Sequence, residues 1–264
     1  MSRPDKPDRL IYLFRIRLCE GCMKRLALVI LFISFSAGGL FASYEKALEL
    51  FNQKNYNESL KILADSLVAE NDFKDDSANY KIRFLAAHNH WKLGNKESAV
   101  SHFKRCMDIK KDDVGAYIDL AFFLTEINRL NDAETTAQGG IKIKQDPILY
   151  YLVGKVSLLR GNFWRAKEFL EKANSLDPEL YFSYNCLGIA LMNLKKFSEA
   201  NTAFTVASAL YPESSQILNN LGMSYEMLGK YEQAARYYEK ANILVKDDRT
   251  ILANMQRLRD KKDK

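Results

Sequence analysis

Residues 181–214 read YFSYNCLGIALMNLKKFSEANTAFTVASALYPES, and residues 215–248 follow with the same design. In the first stretch, Gly188 is followed by Ala200 twelve residues later and by Ala207 after a further seven. Small residues that recur at fixed points allow two helices to approach closely, because side-chain size sets the distance between packed helices. The pattern therefore predicts a pair of packed helices in each 34-residue unit.

The same period extends through the body of the chain. A small residue takes the position of Gly188 in five units, at intervals of 34, 33, 34 and 34 residues: Ala87, Ala121, Gly154, Gly188 and Gly222. The predicted turn between the two helices holds, in the same order, Gly94, Asn128, Gly161, Lys195 and Gly229. Four of these five residues tolerate the left-handed conformation that ends a helix. We therefore expect helices of about a dozen residues, each ~20 Å long.

These positions resemble the pattern of the tetratricopeptide repeat family. Residues 181–214 carry the pattern through Leu187, Gly188, Ala200, Phe204, Ala207 and Pro212. Residues 215–248 and 147–180 match it again, whereas residues 80–113 and 114–146 have Ala87 and Ala121 in place of the glycine. The resemblance covers nearly all of residues 43–260. It implies an all-α fold, a right-handed α-solenoid of about six helix pairs with a C-terminal capping helix.

The predicted organisation has four parts. Residues 1–22 are expected to be a non-native extension before a true start at Met23, and residues 23–42 a signal peptide or signal anchor. Residues 249–264 are expected to form a capping helix and a basic tail. The repeats between them occupy residues 43–73, 80–113, 114–146, 147–180, 181–214 and 215–248, with an acidic polar insertion at residues 70–77.

The segment before the repeats has the features of an export signal. Residues 26–43 carry no charged side chain, and seven basic residues precede them. Cleavage after Ala42 fits the small residues there, although Leu40 stands where a small residue is preferred. Because a membrane helix needs ~20 apolar residues, this run is short for an anchor. We expect the body in the periplasm or cell envelope, either released or anchored in the inner membrane through residues 26–42 with the body outside the cytoplasm.

The charge distribution argues against a nucleic-acid partner. Of the net charge of +6, residues 1–42 contribute +4, which leaves only +2 for the body. A body of nearly balanced charge offers no basic track for a phosphate backbone.

The sequence contains no arrangement typical of an enzyme. Its three histidines are His88, His90 and His102, and the first two point to different faces because they lie two residues apart on a helix. The Gly139–Gly140 pair lies within a predicted second helix and is expected to permit close packing rather than phosphate binding. We predict a protein with no catalytic residues, no cofactor and no metal site.

The cysteines also favour structural roles. Cys19 and Cys22 form a lone Cys-x-x-Cys pair inside the predicted extension, which is weak evidence for zinc or redox chemistry. We expect Cys106 and Cys186 to be small buried residues in different repeats.

The resemblance also implies a binding surface. In this family the first helix of each pair lines a concave groove, and residues two, five, nine and twelve of the repeat point into it. The side chains that this pattern selects are mostly apolar or aromatic, and such surface marks a binding site when it is exposed. They are Phe84, His88, Trp91, Ile118, Phe122, Tyr151, Lys155, Leu158, Phe182, Asn185, Ile189, Met192, Asn219, Met223 and Glu226.

Two alternatives to an open apolar groove remain at this stage. Curvature and neighbouring helices would bury part of these side chains as ordinary core. Asn185, Asn219 and Asn220 would hydrogen-bond an extended peptide backbone, or else solvent and neighbouring backbone. The Lys and Asn positions with which some relatives bind a C-terminal carboxylate hold other residues here, among them Phe84 and Ile118.

The sequence leaves three functions open. The first is a non-catalytic scaffold in the bacterial cell envelope that binds a protein or peptide partner. The second is an accessory periplasmic subunit of a solute transport or secretion machine, and the third is an uncleaved, membrane-anchored adaptor. Self-association through the apolar face is compatible with each of them.

Overall fold

The computed structural model describes residues 37–68 and 76–262, and each regular element in these ranges is a helix. The chain divides into two compact units, residues 1–82 and 83–264, with the boundary inside the third described helix. The helices are α1 (Ala37–Asn52), α2 (Tyr56–Val68), α3 (Asp76–Lys92), α4 (Lys96–Ile109), α5 (Val114–Glu126), α6 (Leu130–Ile143), α7 (Pro147–Leu159), α8 (Phe163–Leu176), α9 (Tyr181–Asn193), α10 (Phe197–Leu210), α11 (Ser215–Met227), α12 (Tyr231–Leu244) and α13 (Arg249–Lys262).

In the first unit, α1 and α2 pack against each other as a helical hairpin. Ala47 and Leu63 are fully buried, and the Ser59 hydroxyl donates to the Ala47 carbonyl at 2.8 Å. The ring of Tyr56 lies 5.4 Å from that of Phe51. This hairpin occupies the place of the predicted first repeat. Most of the predicted insertion falls in residues 69–75, outside the described residues.

In three hairpins of the second unit, a glycine on the first helix packs against a large side chain on the second: Gly154 against Leu170, Gly188 against Phe204 and Gly222 against Tyr238. A Cβ atom added at Gly188 would lie 2.5 Å from Cε1 of Phe204. One added at Gly154 would lie 2.6 Å from Cγ of Leu170. Since real Cβ contacts are not this short, glycine is what lets the two helices of these hairpins pack around the large side chain.

A similar contact joins successive hairpins. A Cβ atom at Gly140, near the end of α6, would lie 2.7 Å from Cδ1 of Leu149 in α7. The prediction that the Gly139–Gly140 pair permits close packing is therefore confirmed for Gly140.

The turns between paired helices adopt the left-handed backbone that the sequence predicts. Gly94, Gly161 and Gly229 have φ angles of 78°, 76° and 71°. Asn128 and Lys195 have φ angles of 63° and 60° at the same register position. Lys195 thus adopts a conformation that its side chain disfavours, and the repeat geometry imposes it.

Side-chain caps mark where several first helices begin. The Asp113 carboxylate accepts from the Gly115 amide at 2.9 Å, and the Asp146 carboxylate accepts from the Ile148 amide at 2.9 Å. Pro147 occupies the first turn of α7, where a missing N–H costs nothing. These caps fix the start of α5 and α7 and so set the register of the side chains that the helices present.

The described part of the chain confirms the all-α solenoid. Across residues 37–68 and 76–262, none of the helices is long and apolar enough to cross a membrane. Residues 1–36, which include the predicted extension and most of the predicted export signal, lie outside the described residues. The predicted cleavage point after Ala42 falls within α1.

Candidate protein-binding groove

The first helices of successive hairpins form one continuous surface in the second unit. Helices α5, α7, α9, α11 and α13 contact one another in that order. Each second helix from α6 to α12 contacts its own first helix and the first helix that follows. We call the surface formed by residues 83–92 of α3 together with α5, α7, α9, α11 and α13 the first-helix face. These helices carry the fifteen residues that the sequence assigns to the groove.

These fifteen side chains are less open than the sequence suggests. None of them is exposed, and ten are partly accessible. The five that are buried are His88, Ile118, Tyr151, Asn219 and Glu226. About a third of the predicted groove residues are therefore buried as core, and the remaining ten are only partly accessible.

The N-terminal part of the first-helix face is an aromatic cluster. The His88 ring lies 4.6 Å from Phe84 and 5.8 Å from Trp91, measured between centroids. The Trp91 ring lies 5.8 Å from Phe122 and 4.9 Å from Phe123. These contacts make Trp91 part of the core as well as of the surface.

Burial determines the charge state of His88. Its pKa falls to about 3, first because burial disfavours the imidazolium and second because of the positive charge of Lys92. The ring is thus neutral at physiological pH, with Nε2 located 3.9 Å from Oδ2 of Asp119. A neutral, buried imidazole among aromatic rings is a packing residue.

Lys155 is the cation in the middle of the first-helix face. Its Nζ lies 3.2 Å from Oε1 of Glu126 and 5.0 Å from the centroid of the Phe122 ring. The ammonium therefore pairs with a neighbouring first helix.

The asparagines bind one another. The Asn220 side chain donates to Oδ1 of Asn185 at 3.0 Å, and the Asn254 side chain donates to Oδ1 of Asn219 at 2.9 Å. The two pairs tie α9 to α11 and α11 to α13. The partners expected from the sequence were peptide backbone, solvent or neighbouring backbone. In the structure, these amides hydrogen-bond to other asparagine side chains instead.

An apolar strip remains accessible toward the C-terminal half of the first-helix face. It consists of side chains at or near the ends of α7, α9 and α11, two of them exposed and four partly accessible. The members of this apolar strip are Leu158, Leu159, Ile189, Met192, Met223 and Met227. Methionine is flexible and polarisable, so it adapts to partners of different shape.

Glu226 closes the C-terminal end of the face. Its side chain is only 2% exposed, and it accepts hydrogen bonds from Tyr238, Arg257 and Lys261. Burial alone would raise the pKa of the carboxyl, but the hydrogen bonds from Arg257, Lys261 and Tyr238 outweigh it and lower the pKa to about 2. The predicted groove residue Glu226 thus attaches the capping helix α13 to α11 and α12.

Arg257 and Lys261 are not among the residues predicted from the sequence. They lie 34 residues after Met223 and Met227, so extending the repeat register by one unit into α13 identifies them. The exposed apolar residues of the second helices were not predicted either. Trp164 in α8 is 65% exposed and Ile243 in α12 is 73% exposed. Their accessibility depends on packing that the register alone does not specify.

The remaining histidines lie on another face of α3. His90 stacks on His102 with ring centroids 5.3 Å apart, whereas His88 faces Phe84 and Trp91, so the prediction of different faces is confirmed. Among the described residues, no group of three or more His, Cys, Asp or Glu side chains is arranged to hold a metal ion.

The cysteine prediction is correct for one residue. Cys106 is fully buried on α4, but Cys186 is only half-buried on α9.

Family models described as tetratricopeptide repeat match residues 80–113, 148–180 and 215–241. The chain therefore carries tetratricopeptide repeats. No curated protein matches the sequence.

Several solved structures have a similar fold. One is PilW, titled a widely conserved type IV pilus biogenesis factor, with 16% identity and a TM-score of 0.67 over 81% of this chain and 97% of that chain. A second is YrrB, titled a TPR protein with an unusual peptide-binding site, with 17% identity and a TM-score of 0.56 over 72% and 97%. A third is MamA from Desulfovibrio magneticus RS-1, with 20% identity and a TM-score of 0.56 over 64% and 98%. At these identities the similarity establishes the fold.

Proposed function

We propose that this protein is a non-catalytic scaffold that binds a segment of a partner protein on its first-helix face. The observation that carries the proposal is the apolar strip, which continues across three successive first helices and stays accessible. Apolar surface that spans several elements of a soluble fold marks an interaction site, because its exposure to water is costly. The tetratricopeptide repeats support the same class of function.

A comparison of two surfaces tests the location of this site. Truncating Phe122 and Met223 to alanine removes apolar area from the first-helix face, and we expect at least a tenfold loss of partner affinity. The matched control truncates Trp164 and Ile243, which are more exposed but lie on second helices. If the control pair abolishes binding and the first pair does not, the binding site lies on the second helices.

The measurement must separate binding from folding, since Phe122 and Met223 also contact the core. Helical content by circular dichroism and the melting temperature of each variant provide this separation. The predicted site residue Trp91 is less suitable for truncation, because its ring packs against Phe123 as well as Phe122.

We also propose that the protein works in the cell envelope after export. The basic residues before the apolar run at residues 26–42 support this proposal. Cleavage after Ala42 would leave residues 43–52 of α1, which include the buried Ala47. Mass spectrometry of the native protein should find an N-terminus at or near Ser43. Recovery of intact chain beginning at Met1 from the cytosol would refute export, and membrane-bound chain with residues 26–42 intact would favour the anchored adaptor.

A further inference from the structure

The carboxylate of Glu226 is saturated by its neighbours. Oε1 accepts from Arg257 Nε at 3.1 Å and from Lys261 Nζ at 2.8 Å. Oε2 accepts from the Tyr238 hydroxyl and from Arg257 Nη2, both at 2.8 Å. Two cations therefore share one buried anion, and the local pair interactions leave an excess positive charge.

That excess charge is accessible. The side chains of Arg257 and Lys261 are 48% and 45% exposed, so each retains N–H donors that face solvent. The helix that carries them, α13, contains five basic residues and a single acidic one, Asp260. Asp260 accepts from the Gln256 side chain at 2.8 Å. The capping helix thus presents a net positive charge.

The register places this charge at one end of the apolar strip. Arg257 and Lys261 take, in α13, the positions that Met223 and Met227 hold in α11. Helices α11 and α13 contact each other, as do α7, α9 and α11. Three steps of ~8–10 Å between helix axes separate α7 from α13. About eight residues of extended chain cover that distance at ~3.3 Å per residue.

A cation at the other end of the apolar strip does not balance this charge. Lys155, on α7 at the far end of the apolar strip, pairs with Glu126 at 3.2 Å. The two ends of the apolar strip therefore differ, with an internally paired cation at one end and an excess of positive charge at the other. Charge asymmetry of this kind fixes the direction in which a segment binds.

We propose that the first-helix face binds a segment with apolar side chains along the apolar strip and acidic side chains at the end that reaches α13. This inference rests on the proposed function and adds the chemistry and orientation of the bound segment. Arg257 and Lys261 meet the acidic end, and the remaining guanidinium N–H groups of Arg257 suit a second carboxylate. The partner is a protein with an apolar stretch flanked by Asp or Glu.

The test uses a library of random dodecapeptides displayed on phage and selected on the immobilised full chain. We expect the selected peptides to contain an apolar run with Asp or Glu at one end, at least threefold above the unselected library. Affinities of the selected peptides should fall at least tenfold for Arg257→Gln and at least threefold for Lys261→Gln. Arg257→Gln removes two hydrogen bonds from the buried Glu226 carboxylate and could prevent folding. In that case the affinity of Lys261→Gln decides the test.

The matched control is Arg259→Gln, which removes an exposed cation from α13 two residues away from Arg257. Selected peptides should bind this variant as they bind the natural protein. Equal binding to all three variants, or selection without acidic enrichment, would overturn the inference and leave the proposed function in place. Failure to select any peptide would refute the proposed function itself. A dimer of the full chain that Met223→Asp abolishes would assign the surface to a second copy, which also overturns the acidic partner.

Discussion

The contact between Gly188 and Phe204 allows a sharp test of the hairpin packing. In an exposed helix, alanine is more favourable than glycine by ~1 kcal/mol. At position 188, however, a Cβ atom would approach the Phe204 ring to 2.5 Å, and overpacking of this kind costs ~1–3 kcal/mol. We therefore expect Gly188→Ala to lower the free energy of unfolding by up to ~2 kcal/mol.

The loss of stability from Gly188→Ala should disappear or become a gain when the ring of Phe204 is removed. Phe204→Ala alone should cost ~3–5 kcal/mol, because Phe204 is only 1% exposed. In that background the added methyl group meets no ring, so Gly188→Ala should be neutral or stabilise by up to ~1 kcal/mol. The hairpin α5–α6 supplies a natural precedent, since Ala121 and Ala137 occupy the corresponding positions and are both fully buried.

Urea unfolding followed by circular dichroism at 222 nm measures all four proteins of this double-mutant cycle. The expected coupling free energy is the overpacking cost itself, ~1–3 kcal/mol. Two results would refute the reasoning: an equal loss from Gly188→Ala in both backgrounds, or a more stable protein when Gly188→Ala is made alone. Either result would show that the ring of Phe204 does not limit the distance between α9 and α10.

Three further predictions concern stability. Lys195→Gly should raise the free energy of unfolding by up to ~1 kcal/mol, because it removes the strain of a lysine with a left-handed backbone. The greater entropy of glycine in the unfolded chain offsets part of this gain. Thermal melting measures the net change. Because the pKa of Glu226 is about 2 in the folded protein, its contribution is present above the unfolded pKa and is lost as pH falls. Between pH 6 and pH 3 the natural protein should lose ~2 kcal/mol more than Glu226→Gln does in urea titrations, and equal losses would show that Glu226 is not paired. Ala200→Leu should lower the melting temperature clearly, since Ala200 is fully buried. Lys196→Leu at the neighbouring turn should change it little. Equal melting temperatures of the two variants would disprove the assigned register.

The repeat register predicts much of the backbone but less of the surface. The positive φ at Lys195 follows from its place five residues before Ala200, although lysine itself does not favour it. The burial and ion pairing of Glu226 cannot be predicted from its position in the repeat. They depend on Tyr238, Arg257 and Lys261, which lie on two other helices. Register specifies which way a helix position faces, whereas burial and pairing depend on the side chains that neighbouring repeats supply.

The contacts between a small and a large residue also determine which segment of the chain can be duplicated without loss of packing. Each contact joins two residues of the same hairpin, Gly154 and Leu170 in one and Gly222 and Tyr238 in another. In each pair a residue without a side chain faces a bulky one, and the bulky side chains differ in shape. A duplication that carries a whole hairpin keeps the pair matched, whereas an exchange of one helix between repeats separates the two members. The hairpin, rather than the helix, is therefore the unit by which this array could lengthen or recombine during evolution.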